Sequence, residues 1–275
     1  MKLCTRAAVS ASLFAAGAAN AQSLFSIDTA TDELVTINAQ TNDVSTVGSL
    51  GLDVTSANLT FANGQLSGII NDASGTRSIV SIDTSTGGIA SSATLSAGGT
   101  PIVLAEGLAA DRNTGELYIS FSNSSVFDTR SESLGTVALS GEITTIDTFG
   151  PAIDIDGFTA LGTGSSFFGV DREPGPETLE FALVGADASM TSLATRSFDA
   201  TMNGLGDFTF DGQRVWSIDF MNDRLLAFDP ATAGLTFTGG QADGLADLSG
   251  LAIPAPGSVA LVAIGAPLLA RRRRR

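Results

Sequence analysis

Histidine is absent from the 275 residues, and cysteine occurs once, at Cys4. Without histidine the chain can build no Ser-His-Asp triad, no Cys-His pair and no His-ligated zinc centre. Cys4 falls in an N-terminal segment expected to be removed, so the mature chain is expected to carry neither a disulfide nor a thiol nucleophile. Lysine is as scarce, with Lys2 alone. Any chemistry would rest on carboxylates, hydroxyls, arginine or the single tyrosine, Tyr118. Long apolar runs of 3.6-residue period are missing from the body of the chain, which argues against helices.

Acid is plentiful. All 29 acidic residues lie between Asp28 and Asp247, against seven arginines in residues 22–253. Such a surface repels nucleic acid and anionic lipid and attracts cations, so no nucleic-acid partner is expected. Solubility in a salty exterior is a sufficient reason for it.

The two ends differ from the middle. Lys2 and Arg6 precede the apolar stretch 7–19, which is too short to span a bilayer, and Ala19-Asn20-Ala21 follows as a small-residue cleavage site. That is the layout of a secretory signal, so residues 1–21 are expected to leave and the mature chain to start at Gln22. At the other end Pro254-Ala255-Pro256-Gly257 is followed by a 12-residue apolar stretch, 259–270, and five arginines, 271–275. The stretch is well short of the roughly 20 residues a spanning helix needs, and the arginines would stay on the cytoplasmic side. This tripartite segment, 254–275, resembles the PEP-CTERM sorting signal of bacterial surface proteins, with Pro-Ala-Pro-Gly standing where that family has Pro-Glu-Pro. The resemblance implies an exosortase-like processing enzyme as a partner, transient membrane anchoring by the C-terminal segment, and a destination at the cell surface, the outer envelope or beyond. It implies no activity.

Between the ends a pattern recurs: NLTFANGQLSGII from Asn58, EGLAADRNTGELYIS from Glu106, DGFTALGTGSSFFGV from Asp156, GDFTFDGQRVWSI from Gly206, and a truncated SGLAI from Ser249. The aligned apolar residues Leu59, Leu108, Phe158, Phe208 and Leu251 stand 49, 50, 50 and 43 residues apart, the period of propeller blades. Each full copy holds four strand-like runs bounded by Gly, Asp, Asn, Ser or Pro; in the fourth copy they are 207–210, 214–219, 225–229 and 235–238. The fifth copy keeps only its first strand, 250–253, and its other three are found at the N-terminus, 24–28, 34–38 and 44–47. Residues 22–253 therefore read as an all-β, five-bladed β-propeller closed by N- and C-terminal strands, with a β-sandwich or another β repeat as the alternative. The blade motif resembles that of secreted bacterial propellers of the LYxID…LxxID…TG type.

The start of each innermost strand carries a polar residue: Asn58, Glu106, Asp156, Asp207 and Ser249. Ring closure would gather them at one mouth of the channel, with Glu106, Asp156 and Asp207 as candidate oxygen ligands for calcium. Turn capping by the same acids, with no bound partner, is the simpler reading. The spacing Asp154-Ile155-Asp156-Gly157 adds an Asp-x-Asp pair that lacks the EF-hand pattern. A second acidic series, Asp28, Asp72, Asp171 and Asp219, ends the second strands and suits turn starts. The loops 123–133 and 171–177 are the longest insertions and the expected partner contacts. Trp216 and Tyr118 hold equivalent second-strand positions and suit blade packing better than sugar stacking. The function this favours is a non-catalytic binding or structural protein of the envelope or exopolysaccharide matrix, its partner an extracellular polysaccharide or a surface protein. The alternative is a carboxylate-dependent glycan hydrolase, with paired acids as acid and base.

Overall fold

A computed structural model describes residues 23–124, 132–150, 153–162, 166–171, 178–197, 202, 205–239, 245 and 247–254. Every regular element among them is a strand. The chain opens with β1 (Ser23–Asp28), β2 (Glu33–Asn38) and β3 (Val44–Ser49). The second blade is β4 (Val54–Ala62), β5 (Gln65–Asp72), β6 (Arg77–Ile82) and β7 (Ile89–Thr94). A small hairpin of β8 (Ser96–Ala97) and β9 (Thr100–Pro101) comes next. The third blade is β10 (Leu104–Ala110), β11 (Leu117–Ser122), β12 (Ser133–Val137) and β13 (Glu142–Thr148). The fourth is β14 (Ile155–Ala160), β15 (Ser166–Asp171), β16 (Thr178–Gly185) and β17 (Met190–Ser197). The fifth is β18 (Leu205–Phe210), β19 (Val215–Asp219), β20 (Arg224–Phe228) and β21 (Leu235–Thr238).

The last strand, β22 (Leu248–Ala252), pairs antiparallel with β1 and completes the first blade in the order β22-β1-β2-β3. The protein is a five-bladed β-propeller in which the two ends of the chain share one blade, as the split repeat predicts. The β8–β9 hairpin lies outside that expectation. It adds to the outer edge of the third blade, where β8 runs parallel to β13, and so covers an edge that would otherwise be free to recruit another strand.

Short Asx turns close many hairpins. Asn38 Oδ1 accepts from the Gln40 and Thr41 amides, at 2.9 and 3.3 Å. Asp111 does the same for Asn113 and Thr114, at 2.7 and 3.0 Å, and Asp229 for Ala231 and Thr232, at 2.9 and 3.0 Å. Each such side chain replaces water at amides the ladder leaves over. Much of the acid content is spent this way.

The apolar residues bury between blades, not within one centre. One cluster occupies each of the five junctions. At the junction of the fourth and fifth blades Phe168, Phe181, Phe208 and Phe228 pack with ring centroids 5.1 to 6.5 Å apart. Trp216 is 2 % exposed, donates from Nε1 to Asp211 Oδ2 at 2.8 Å and lies under the Arg214 guanidinium at 4.5 Å. The Tyr118 ring lies 4.8 Å from Phe167 while its hydroxyl donates to Glu116, at 2.9 Å. Both aromatics serve packing, as expected. Burial, and then Glu116, push the Tyr118 phenol up to about 12.

Near the axis the blades interlock through a repeated small residue. A Cβ on Gly107 would meet the Phe158 ring at 2.3 Å, one on Gly250 would meet Leu59 at 2.8 Å, and one on Gly157 would meet Phe208 at 3.1 Å. At these three junctions the large residue of the next blade therefore needs the small residue of the one before. Gly107→Ala is expected to force Phe158 off its rotamer and cost about 1–3 kcal/mol. Urea unfolding checks this, and an unchanged midpoint would show that the ring shifts freely.

Candidate functional site

The register puts both acidic series on one face. In each blade the last residue of the second strand faces the start of the innermost strand: Asp28 with Leu248, Asp72 with Val54, Ser122 with Leu104, Asp171 with Ile155 and Asp219 with Leu205. The five polar residues at the innermost strands sit at this face and are tied together. The Ser249 hydroxyl accepts from the Ala57 amide (2.8 Å) and donates to its carbonyl (3.0 Å), and the Asn58 amide donates to the Glu106 carbonyl (3.1 Å).

They do not form one ring of equivalents, because the innermost strands are bulged at different places. In the third and fourth blades the ladder skips Glu106 and Asp156 themselves. A bulged residue leaves the pleat and is re-aimed. In the fifth blade the irregularity spans Gly206 and Asp207, and in the second it falls at Thr55. The carbonyls so displaced are met by buried hydroxyls: Ser26 donates to Gly250 O at 2.6 Å and Ser217 to Gly206 O at 3.3 Å.

The structure thus brings Glu106 and Asp156 together, and their third member is Asp154, not Asp207. One carboxylate oxygen from each of Glu106, Asp154 and Asp156 lies within 4.8 Å of the others. Asp154 and Asp156 are two apart in an extended segment and so project to the same side. The Asp-x-Asp spacing was the sequence signal for Asp154.

Glu132 joins them from the end of the long loop 123–133 and had no signal in the repeat. It is fully buried, and its Oε2 accepts from the Ile155 amide at 2.6 Å. Burial raises its carboxyl well above the usual range, and contact with the Glu106 carboxyl and the charges of Glu106 and Asp154 add to the rise. Asp171 supports the group from behind, its Oδ1 accepting from the Asp154 amide at 2.9 Å. It differs here from Asp28 and Asp72, which cap turns by accepting from Ala30 and Thr31 and from Ser74 and Thr76. Arg77 is lowered by its own burial and partly restored by the charge of Glu106. The loop residues 125–131 and 172–177, named above as partner contacts, lie outside the described residues.

Asp207 stands one residue before Phe208, the position that Gly107, Gly157 and Gly250 fill in other blades. Its carboxylate accepts from the Leu59 and Phe208 amides, each at 2.8 Å, and also from the Leu251 amide and the Asn58 side chain. It therefore bonds the innermost strands of the first, second and fifth blades to one another. Burial lifts it to about 8 in spite of these bonds. A one-residue difference in offset from the aligned Leu or Phe separates it from Glu106 and Asp156.

No family model matches the chain, and no curated protein does. Solved structures do. A chain from the nidogen/laminin complex is similar with a TM-score of 0.54 at 13 % identity, covering 85 % of this chain and 98 % of that one. The PQQ-bound aldose sugar dehydrogenase of Streptomyces coelicolor is similar with a TM-score of 0.48 at 10 % identity, covering 78 % of this chain and 76 % of that one. At such identities the likeness concerns the propeller fold alone. Among the described residues no helix is long and apolar enough to cross a membrane.

Proposed function

We propose that this protein is an exported, surface-anchored or released binding protein of the bacterial envelope or its exopolysaccharide matrix, and that it performs no catalysis. The observation that carries the binding reading is how the carboxyls are packed. Glu132 is fully buried, Asp154 is 3 % exposed, and Glu132 contacts Glu106 directly. A glycosidase needs its two carboxyls on either side of a sugar, about 5–10 Å apart depending on mechanism. Here one oxygen from each of Glu106, Asp154 and Asp156 lies within 4.8 Å of the others, closer than that spacing. Partner contact is assigned to the same face, where Glu132 and Asp171, described residues of those two insertions, are found. The terminal segments 1–21 and 254–275, of which Pro254 alone is among the described residues, carry the export and exosortase part of the proposal through their sequence.

Surface protein from the native host is expected to start near Gln22 and to lack the arginine tail, by intact-mass spectrometry. An intact tail on surface-exposed protein would defeat the sorting proposal and leave a plain membrane anchor. A polysaccharide panel should show no turnover. Hydrolysis that Asp156→Asn abolishes would replace the binding reading with the hydrolase.

A further inference from the structure

We propose that the junction of the second and third blades holds a binding site for a neutral sugar unit, at the end of the blades opposite the acidic mouth. Its origin is one departure from the repeat. One residue after the aligned Leu or Phe, the innermost strand faces a second-strand residue that is aromatic in four blades. Ala252 faces Phe25, Ala109 faces Tyr118, Thr159 faces Phe168 and Thr209 faces Trp216. Each aromatic fills the junction with the following blade. In the second blade Thr60 faces Ser67 instead. Ser67 points toward the third blade, because Ile69, two residues on, packs with Leu117 and Ile119 there. A serine in place of a ring leaves space, and a cavity of about 410 Å³ opens at this junction. That is within the about 300–1,000 Å³ of small-molecule sites.

The second observation is the Ser67 hydroxyl. The residue is 1 % exposed and lines the cavity, yet its hydroxyl has no partner among the described residues. The other buried serines all bond: Ser26 to Gly250, Ser81 to Ser91, Ser120 to Ile155, Ser122 to Ser124 and Ser217 to Gly206. A buried hydroxyl left unbonded costs free energy, so this one is placed to take its partner from the cavity. The rest of the lining suits a sugar. Gln65, on the same strand face as Ser67, brings an amide that both donates and accepts. Two carboxylates at the cavity are already fixed in position. Glu116 accepts from the Tyr118 hydroxyl at 2.9 Å, and Glu142 from the Ser96 hydroxyl and the Gly98 amide of the β8–β9 hairpin, at 3.1 and 3.2 Å. Ring hydroxyls are the donors such groups receive, while Leu117 and the exposed Leu139 offer an apolar wall to the C–H face of a ring. Among the described residues no arginine lines the cavity, so a uronate, a phosphate or another anion is repelled by the two carboxylates.

The test titrates the full chain with glucose, galactose, mannose, N-acetylglucosamine, cellobiose and maltose, read by saturation-transfer NMR. At least one should bind with a dissociation constant on the order of 1 mM, as a ligand of so few atoms allows. The uronate of the same configuration should bind at least tenfold more weakly, and an equal affinity for it would overturn the neutral class. Ser67→Phe, which supplies the aromatic of the other blades, should abolish binding and melt no lower than the parent, because it fills a void. Ser67→Ala should weaken binding about threefold to tenfold without lowering the melting temperature, because the hydroxyl it removes bonds nothing in the free protein. Gln65→Ala, at an exposed position, reads the same loss should Ser67→Phe fail to fold. Asp156→Asn should leave sugar binding intact. Loss of binding in that variant would move the sugar to the acidic mouth, overturning this site while sparing the binding function proposed above. No binding of any of the six sugars, or equal binding by Ser67→Phe, would overturn the site and leave a hydrated packing gap.

Discussion

A chain shortened to begin at Leu50 is expected to lose its cooperative unfolding transition. The deletion removes β1, β2 and β3, which leaves β22 without its partner strand. It also strips Leu24, Ile27, Leu34, Val35 and Ile37, each 0–1 % exposed, from the junctions on both sides of the first blade. Each such side chain contributes about 1.5–3 kcal/mol through burial. Five of them together reach the roughly 5–15 kcal/mol by which a whole domain is stable. Ending the chain before Leu248 removes the innermost strand of the same blade and should have the same result. Ending it after Ile253 takes away no strand and should leave the fold intact. Thermal circular dichroism with a dye for exposed apolar surface reads all three. A soluble N-terminal deletion as stable as the parent would mean that the other four blades hold together without closure.

Stability is expected to fall as pH rises from about 4 to about 8, the reverse of an ordinary acid-labile protein. Glu132, raised by burial, acts in this sense, and so does Asp207. The Asp207 carboxyl titrates near 3.8 when unfolded and at about 8 when folded. Between these values the folded state holds a proton that the unfolded state has released, so its advantage is complete below about 4 and gone above about 8. A shift of this size is worth about 5–6 kcal/mol. Asp72, Asp83 and Asp187 act in the opposite sense. Hydroxyls of Ser74, Ser85 and Ser189 hold these exposed carboxyls below their usual value, so their contribution is lost as pH falls below about 4. The optimum should therefore lie just above pH 4. Asp207→Ala should flatten the slope between pH 4 and 8. It should also cost about 1–3 kcal/mol for each buried amide it orphans, those of Leu59 and Phe208 among them. Urea midpoints across pH for both proteins give the answer, and an equal slope in the variant would place the titrating group elsewhere.

Blade number and closure were legible in the sequence by itself. Each blade repeats one apolar anchor, Leu59, Leu108, Phe158, Phe208 or Leu251, about every 50 residues, and the strands missing from the last copy are present at the N-terminus. A repeat that cannot bury its own face must stack on its neighbours, so period and count carry the architecture. The turn-capping role of many acids was legible for the same reason, since an Asx turn is built from residues next to one another in the chain. The composition of the acidic group was not. It depends on where each innermost strand is bulged, and a one-residue slip of register re-aims a side chain from the channel mouth to the blade interior. Glu106 and Asp156 occupy the skipped positions, whereas Asp207 takes the place of a glycine and bonds across three strands. Glu132 comes from a loop with no counterpart in the other blades, so no alignment of repeats could find it. Local patterns determined the four strands of each blade, though not the β8–β9 hairpin. Only closure of the ring decided which carboxyls meet, because the contacts of Glu132, Asp154 and Asp207 are made between blades, in the case of Asp207 and Leu59 by residues 148 positions apart.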